Sequence, residues 1–175
     1  VLQRARKKEF VRWQLENDRP YWSTDHGRGA QRVIWRQAVC AEIATLHSQF
    51  TAGLFWDLFK AYDSAKHGIL WREARRFGFP LHILALSLSS YRWSRRLDYN
   101  GCFSRPVYPT ASIIAGSTSA TYELKSLLIR ILDAHLLANP EVAIEVFVDD
   151  LGQSTTQDSS VACSNVLVSA AIELA

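Results

Sequence analysis

Three aspartates carry the chemistry most visible in this sequence. Asp149 and Asp150 are adjacent, delivered by the β-favouring run Ile144-Glu145-Val146-Phe147-Val148, and Leu151-Gly152-Gln153-Ser154-Thr155 can return as a second strand. Two acids at a strand-to-strand turn repel each other unless a cation lies between them, and paired carboxylates naturally hold a divalent metal. Asp is also a common turn residue, so the pair gains weight from a third acid. Asp57 ends another apolar run, Ala52-Gly53-Leu54-Phe55-Trp56, 92 residues before Asp149. If the two runs are neighbouring strands of one sheet, three carboxylates converge at one edge. Two-metal phosphoryl or nucleotidyl transfer uses such a set, with two divalent ions about 3.5–4 Å apart stabilising the attacking and leaving oxygens. The metal supplies most of the charge stabilisation, and no His or Lys base is required.

The elements that position these acids follow from periodicity and punctuation. Residues 1–17 read as a basic helix with Leu2, Phe10 and Trp13 on an apolar side, stopped by Asn17-Asp18-Arg19-Pro20. A loop through His26-Gly27-Arg28-Gly29 leads to a second helix with Ile34, Ala38, Ala41 and Thr45 at helical spacing. Residues 51–58 are a strand candidate. Ser64 is expected to cap a helix carrying Ile69, Leu70, Ala74 and Phe77, and Pro80 to open the next, with Leu84, Leu88 and Tyr91 on one face. Asn100-Gly101 favours a type I′ turn and predicts a hairpin of residues 95–99 with 102–108. Leu124, Leu127, Leu128, Ile131, Leu132 and Leu136 predict a long helix ended by Asn139-Pro140, and residues 161–174 a final one. Strands mixed with helices without strict alternation argue for an α+β fold.

The composition is globular: 175 residues, 48% hydrophobic and 21% charged, enough for a real core and unlike a disordered chain. The formal net charge of +3 hides an asymmetry. Residues 1–96 carry 17 basic against 8 acidic side chains, and residues 97–175 carry 3 against 9. The first part is therefore a candidate polyanion-binding surface, while the second holds two of the three suspected metal ligands; two differently charged solvated faces would give the same count. Cys40, Cys102 and Cys163 are far apart and lack CxxC spacing, which suggests neither a disulfide framework nor a zinc site and fits a reducing, intracellular compartment. The apolar stretch 77–91 is too short to span a bilayer, so no membrane is expected, and no signal-peptide core follows the basic N-terminus. With no Met anywhere, the chain reads as a piece of something longer.

Several of these segments together resemble a family. Asp57-Leu58-Phe59-Lys60-Ala61-Tyr62-Asp63-Ser64, with His67 three residues on, is similar to motif A of reverse transcriptases, those of non-LTR retrotransposons and group II introns most of all. Phe147-Val148-Asp149-Asp150 resembles their motif C. Between the two, Asn100-Gly101 followed by Ile113-Ile114-Ala115-Gly116-Ser117 resembles the hairpin and motif B, and His26-Gly27-Arg28-Gly29-Ala30-Gln31 resembles the segment before motif A. The motifs stand in the family's order and cover most of the chain.

The resemblance implies a polymerase palm, a small antiparallel sheet packed by helices, over residues 51–175. Motif A falls at 51–67, hairpin and motif B at 95–138 and motif C at 141–155; residues 1–50 would be partial helical fingers, with the thumb absent. It implies RNA-templated DNA synthesis, with an RNA template, a DNA primer and dNTPs as partners, two Mg²⁺ ions (or Mn²⁺) and no organic cofactor. Asp57 and Asp149 would be principal metal ligands with Asp150 beside them. Tyr62 would be the aromatic gate against a ribose 2′-OH, and Phe59, Ala115, Gly116 and Val148 would lie near the nucleotide. As plain residues, Tyr62 would be a core aromatic, Val148 a strand valine and Gly116 a turn. Arg28, Arg92, Arg95 and Arg96 are candidates for nucleic-acid contact, with Trp93 interleaved among the last three. Asp63 reads as initiating the following helix, Lys60 as solvated and His67 as structural. Two departures stand out: Ile114-Ala115 replace the family's Pro-Gln before the motif B glycine, and the fingertip hairpin, primer grip and thumb are not represented. The fragment alone is therefore expected to show little processive synthesis. Two alternatives share the acids: a catalytically inactive palm-fold remnant that binds nucleic acid, and an RNA-dependent RNA polymerase.

Overall fold

A computed structural model describes residues 6–24 and 28–174. His26 and Gly27, part of the segment expected before motif A, lie outside the described residues, as does Leu2. The fold is α+β, a small antiparallel sheet packed by helices. In chain order the elements are α1 (Lys7–Glu16), α2 (Ala30–Leu46), β1 (Phe50–Asp57), α3 (Ala61–Ser64), α4 (His67–Arg76), α5 (Leu81–Tyr91), β2 (Asp98–Tyr99), β3 (Cys102–Phe103), α6 (Ala120–Ala138), β4 (Ala143–Phe147), β5 (Asp150–Gln157) and α7 (Ser160–Leu174). They divide into two compact units: Asp18–Leu58 with Ile129–Ala175, and Val1–Asn17 with Phe59–Leu128. Among the described residues no helix is long and apolar enough to cross a membrane.

The first of these units holds the three-stranded sheet, ordered β1-β5-β4 and antiparallel throughout. Alternation along the strands sorts the side chains by face. Ile144 and Val146 of β4 and Leu151, Gln153 and Thr155 of β5 are buried on one side, where α7 packs on β1 and β5 through Leu167 and Ala170. Two of those inner residues are polar, and both are satisfied. Thr155 Oγ1 donates to the Glu141 carbonyl at 2.9 Å. Trp56 Nε1–H has only a donor to offer and gives it to Gln153 Oε1 at 3.0 Å. The Gln153 amide nitrogen faces His135 Nε2 at 2.9 Å and can only donate, so Nε2 accepts and the imidazole is neutral. The outer edge of β4 is covered by residues 21–23, whose backbone pairs with Val146 at 2.8 and 2.9 Å, which removes an open strand edge. Arg19 and Tyr21 hold that cover to α6 through Asp133, at 3.0 and 2.7 Å.

In the other unit α1 packs Phe10 and Trp13 against Phe79, and Trp13 Nε1 donates to the Phe77 carbonyl at 2.8 Å. Helix α4 ends in a Schellman motif: Gly78 takes φ +66°, and Phe79 N–H donates back to the Ala74 carbonyl at 2.9 Å. Wholly buried Glu123 accepts from the Tyr91 hydroxyl at 2.8 Å; burial raises the Glu123 carboxyl, and burial with that neighbour pushes the Tyr91 phenol up to about 12. The expected hairpin forms at Asn100-Gly101, both at positive φ, but its ladder is only two residues a side, extended by one isolated bridge from Arg95 to Val107.

Three local expectations need correction. Ser64 ends the short helix α3, with its hydroxyl 3.5 Å from the Phe59 carbonyl, and α4 starts after Lys66 without a side-chain cap. Asp63 accordingly sits within α3 and does not open α4. The buried face of α6 includes Ile129, absent from the leucine stripe, while Ile131 is exposed.

Burial holds the His135 imidazole below its ordinary pKa of 6.5, against a smaller opposing pull from Glu173. A base whose folded pKa is depressed contributes stability that is full above the unfolded pKa and falls as pH drops below it. The stability advantage of the wild type over His135→Asn is therefore expected to shrink between pH 7.5 and 5.5, measured as the difference in urea unfolding free energy at the two pH values.

Candidate active site

The β4–β5 connection is a two-residue turn, Val148-Asp149, between Phe147 and Asp150, which pair across it. Val148 adopts φ +61°, a left-handed conformation that a β-branched residue takes only under constraint. Such strain concentrates at functional turns. The constraint has a clear source: both flanking strands are locked by pairing, β5 on both its sides.

That locking decides the placement of the acids. In the β1–β5 register Asp57 pairs with Asp150, the last residue of one strand against the first of the other. Directly paired residues share a face and bring their Cβ atoms to about 5 Å. Here the face is the one turned away from α7, because the inner positions are Trp56 and Leu151. Asp149 stands beside them at the turn, half-buried, while Asp57 and Asp150 are exposed. Among the described residues none of the three forms an ion pair, and no group of three His, Cys, Asp or Glu side chains gathers as a metal cage. The site is thus a facing pair of carboxylates with a third acid at the turn.

The pair opens into a cavity of about 360 Å³ on this face, bounded also by Ser23, Val33, Gln37 and Glu145. Next to it lies a basic hollow of about 260 Å³ between residues 20–23 and the start of α2, lined by Arg28, Arg32 and Arg36. Arg28 is committed to structure there: its guanidinium forks onto Asp18 at 3.0 and 3.0 Å and reaches the carbonyls of Arg19 and Trp22. Arg36 lies 3.5 Å from Glu145, whose carboxyl is raised by burial and lowered by that arginine. Arg32 is exposed. Acids beside arginines suit a ligand that brings both a cation and phosphate oxygens.

The other expected site residues belong to the second unit. Tyr62 is half-buried in α3, and its carbonyl accepts from Ile113 N–H at 2.7 Å. Ser112 N–H likewise donates to the Ala65 carbonyl at 2.9 Å, and His67 Nε2 donates to the Ser112 carbonyl at 2.9 Å. The segment after Asp57 is therefore clipped to the segment before Gly116, and His67 is one of the clips. Phe59 is exposed beneath Lys60, whose ammonium lies 5.3 Å from its ring centre. Ala115 is exposed, and Gly116 takes φ +82°, with open space where a Cβ would be, so its glycine serves conformation rather than close packing. Arg92, Arg95 and Arg96 are exposed at the base of the β2–β3 hairpin, with Trp93 exposed among them. Sequence reasoning missed Phe55, Glu145, Arg32 and Arg36. The first two are ordinary strand residues until the register places them. The arginines lie four apart at the start of α2, a spacing that puts them on one helix face.

No protein-family model matches this sequence, and neither does any curated protein. Among solved structures the fold is similar to that of apo telomerase from Candida tropicalis truncated from its C-terminal domain, with a TM-score of 0.59 and 9% sequence identity. The match covers 96% of this chain and 35% of that one, so the chain spans about a third of that structure's length. At 9% identity the likeness is one of fold.

Like charges directly opposite on paired strands destabilise a sheet by roughly a few tenths to 1 kcal/mol. In chelator-treated protein, Asp150→Asn is expected to raise the unfolding free energy by about that amount, read from urea melts of the two proteins side by side.

Proposed function

We propose that this chain is the palm and partial fingers of a reverse transcriptase of the non-LTR retrotransposon and group II intron kind. The reaction is RNA-templated addition of deoxynucleotides to a primer 3′-OH. One observation carries the reading: the strand register that sets Asp57 against Asp150, with Asp149 at the adjoining turn, on the open face of the sheet. The four ordered motifs and the telomerase-like fold support it.

The donor set suits Mg²⁺, which takes one or two carboxylates and completes its octahedron with water and phosphate oxygens. In this reading Asp57 and Asp149 are principal ligands and Asp150 stands beside them. Bound there, the ions supply charge stabilisation at the attacking and leaving oxygens. The protein's own part is positioning. The paired strands fix the carboxylates, the arginines of α2 attract the polyphosphate, and Tyr62 excludes a ribose 2′-OH. Arg92, Arg95 and Arg96 offer the hairpin base to the nucleic-acid backbone.

A second reading, a palm that binds nucleic acid without catalysis, is favoured by one departure: Ile114-Ala115 stand where the resemblance leads one to expect Pro-Gln. Primer extension separates the two. With RNA template, DNA primer, dNTPs and Mg²⁺, the protein that carries this chain is expected to extend the primer, and Asp149→Asn to reduce the rate by roughly two orders of magnitude or more. Undiminished extension by Asp149→Asn removes the metal role; no extension by the wild type leaves the binding-only palm. In the same assay Tyr62→Val is expected to raise incorporation of ribonucleotides relative to deoxynucleotides. A wild type that already prefers ribonucleotides would instead point to an RNA-synthesising polymerase.

A further inference from the structure

Residues 92–108, between α5 and the segment that leads to Gly116, form a β-ribbon with both faces open to solvent. The two-residue ladder of β2 and β3 continues through the Ser104 N–H, which donates to the Leu97 carbonyl at 2.9 Å. The Arg95–Val107 bridge closes the base with two bonds of 2.8 Å. The root is firm: Tyr91, the last residue of α5, is buried, and its hydroxyl donates to Glu123 at 2.8 Å. Beyond it, residues 92–103 and 105–108 are all exposed. Two sets of side chains there have no use within the chain. Among the described residues the guanidinium groups of Arg92, Arg95, Arg96 and Arg105 enter no ion pair or hydrogen bond, whereas Arg6, Arg12, Arg19, Arg28, Arg36 and Arg72 are all ion-paired. The ribbon's one acid, Asp98, accepts from Gly101 N–H at 3.1 Å. The rings of Trp93, Tyr99, Phe103 and Tyr108 are 71%, 79%, 67% and 70% exposed, and none packs on another ring. A two-stranded ribbon is marginally stable by itself, and neither bare rings nor unpaired like charges help it.

We propose that the ribbon is a platform for an unpaired nucleic-acid strand: bases stack on Tyr99 and Phe103 near the tip, and phosphates meet the four arginines nearer the base. The inference rests on the nucleic-acid reading above for the class of partner, and adds the rings, Arg105 and the single-stranded form of the ligand. Charge selects the occupant. Four unpaired arginines against one engaged acid attract a polyanion, and they repel a second copy of the same ribbon. Geometry selects further. Tyr99 pairs with Cys102 and Asp98 with Phe103, so the two rings stand on opposite faces. A segment that lies on a lipid surface gathers its apolar groups on one side, which this ribbon does not do. A flexible single strand can pass round both faces, and every base has a π-face to stack. In a duplex those faces are already stacked on one another, and opening a step is costly.

The test is fluorescence anisotropy of the chain with a labelled oligouridylate of about twelve nucleotides, in EDTA. Competitors are the same strand annealed to oligoadenylate, inorganic polyphosphate, polyglutamate and phosphatidylserine vesicles. The single strand is expected to bind, and each competitor to bind at least tenfold more weakly. Tyr99→Ala with Phe103→Ala is expected to weaken binding roughly tenfold or more at an unchanged melting temperature, and Trp at both positions to restore it. Leu at both positions keeps apolar bulk without a π-face and is expected to bind as weakly as Ala. Arg95→Gln with Arg96→Gln is expected to flatten the slope of log K against log salt by about 0.7 for each arginine, a change the ring variants do not make. An oligouridylate that fails to bind, or binds no better than duplex or polyphosphate, overturns the platform. So do folded ring variants that bind like wild type, and tighter binding of polyglutamate or vesicles. Because no metal is present, the outcome is separate from that of primer extension. Ring-dependent binding without extension refutes the polymerase reading and leaves the platform standing, while extension with binding indifferent to the rings refutes the platform alone.

Discussion

The position of β5 between β1 and β4 is the constraint on which the rest of the site depends. A central strand paired on both sides cannot slip by one residue without turning every side chain to the other face. Inside, such a slip would replace Leu151, Gln153 and Thr155 with Asp150, Gly152 and Ser154, and would break the Trp56–Gln153–His135 chain of hydrogen bonds. Outside, it would remove Asp150 from opposite Asp57. The buried polar chain and the acidic pair are therefore two consequences of one register. The core holds the strands where two carboxylates must face each other, against their own repulsion, and tolerates a left-handed valine at the turn to do so.

That repulsion gives the open face its chemistry. A sheet selected only for stability would not set two aspartates opposite each other beside a third, beneath a helix whose first turns supply arginines. The same face pairs a glycine with a phenylalanine and a glutamate. Carboxylates and arginines thus stand close together on one face of one small sheet, as the proposed cation and phosphate would require. The other unit is organised around different constraints, the Schellman turn at Gly78, buried Glu123 with Tyr91, and the backbone clip between Tyr62–His67 and Ser112–Ile113.

Much of this was legible in the sequence, for physical reasons that differ from part to part. The α+β class and most elements follow from periodicity and from turn residues such as Asn100-Gly101, whose conformational preference is local. The acids were legible because charge at the end of an apolar strand is conspicuous. What was hidden depends on partners distant in the chain. Which aspartate faces Asp57 is set by pairing over about ninety residues, and the same register sets Phe55 and Glu145 on either side of Gly152. Ser64 looked like a helix cap because its side chain suits one, but the backbone had already closed a separate turn there. Ile129 was missed because it lies off the leucine stripe, yet it is wholly buried.

If the Asp57–Asp150 row is the divalent-cation site proposed above, Mn²⁺ will reveal it by paramagnetic broadening in amide-resolved NMR. At low Mn²⁺ the account predicts that the amides of residues 57 and 149–151 broaden first, that excess Mg²⁺ reverses the effect, and that Asp57→Asn abolishes it. Broadening that begins elsewhere, or that spreads evenly over the acidic surface and ignores Asp57→Asn, would contradict it.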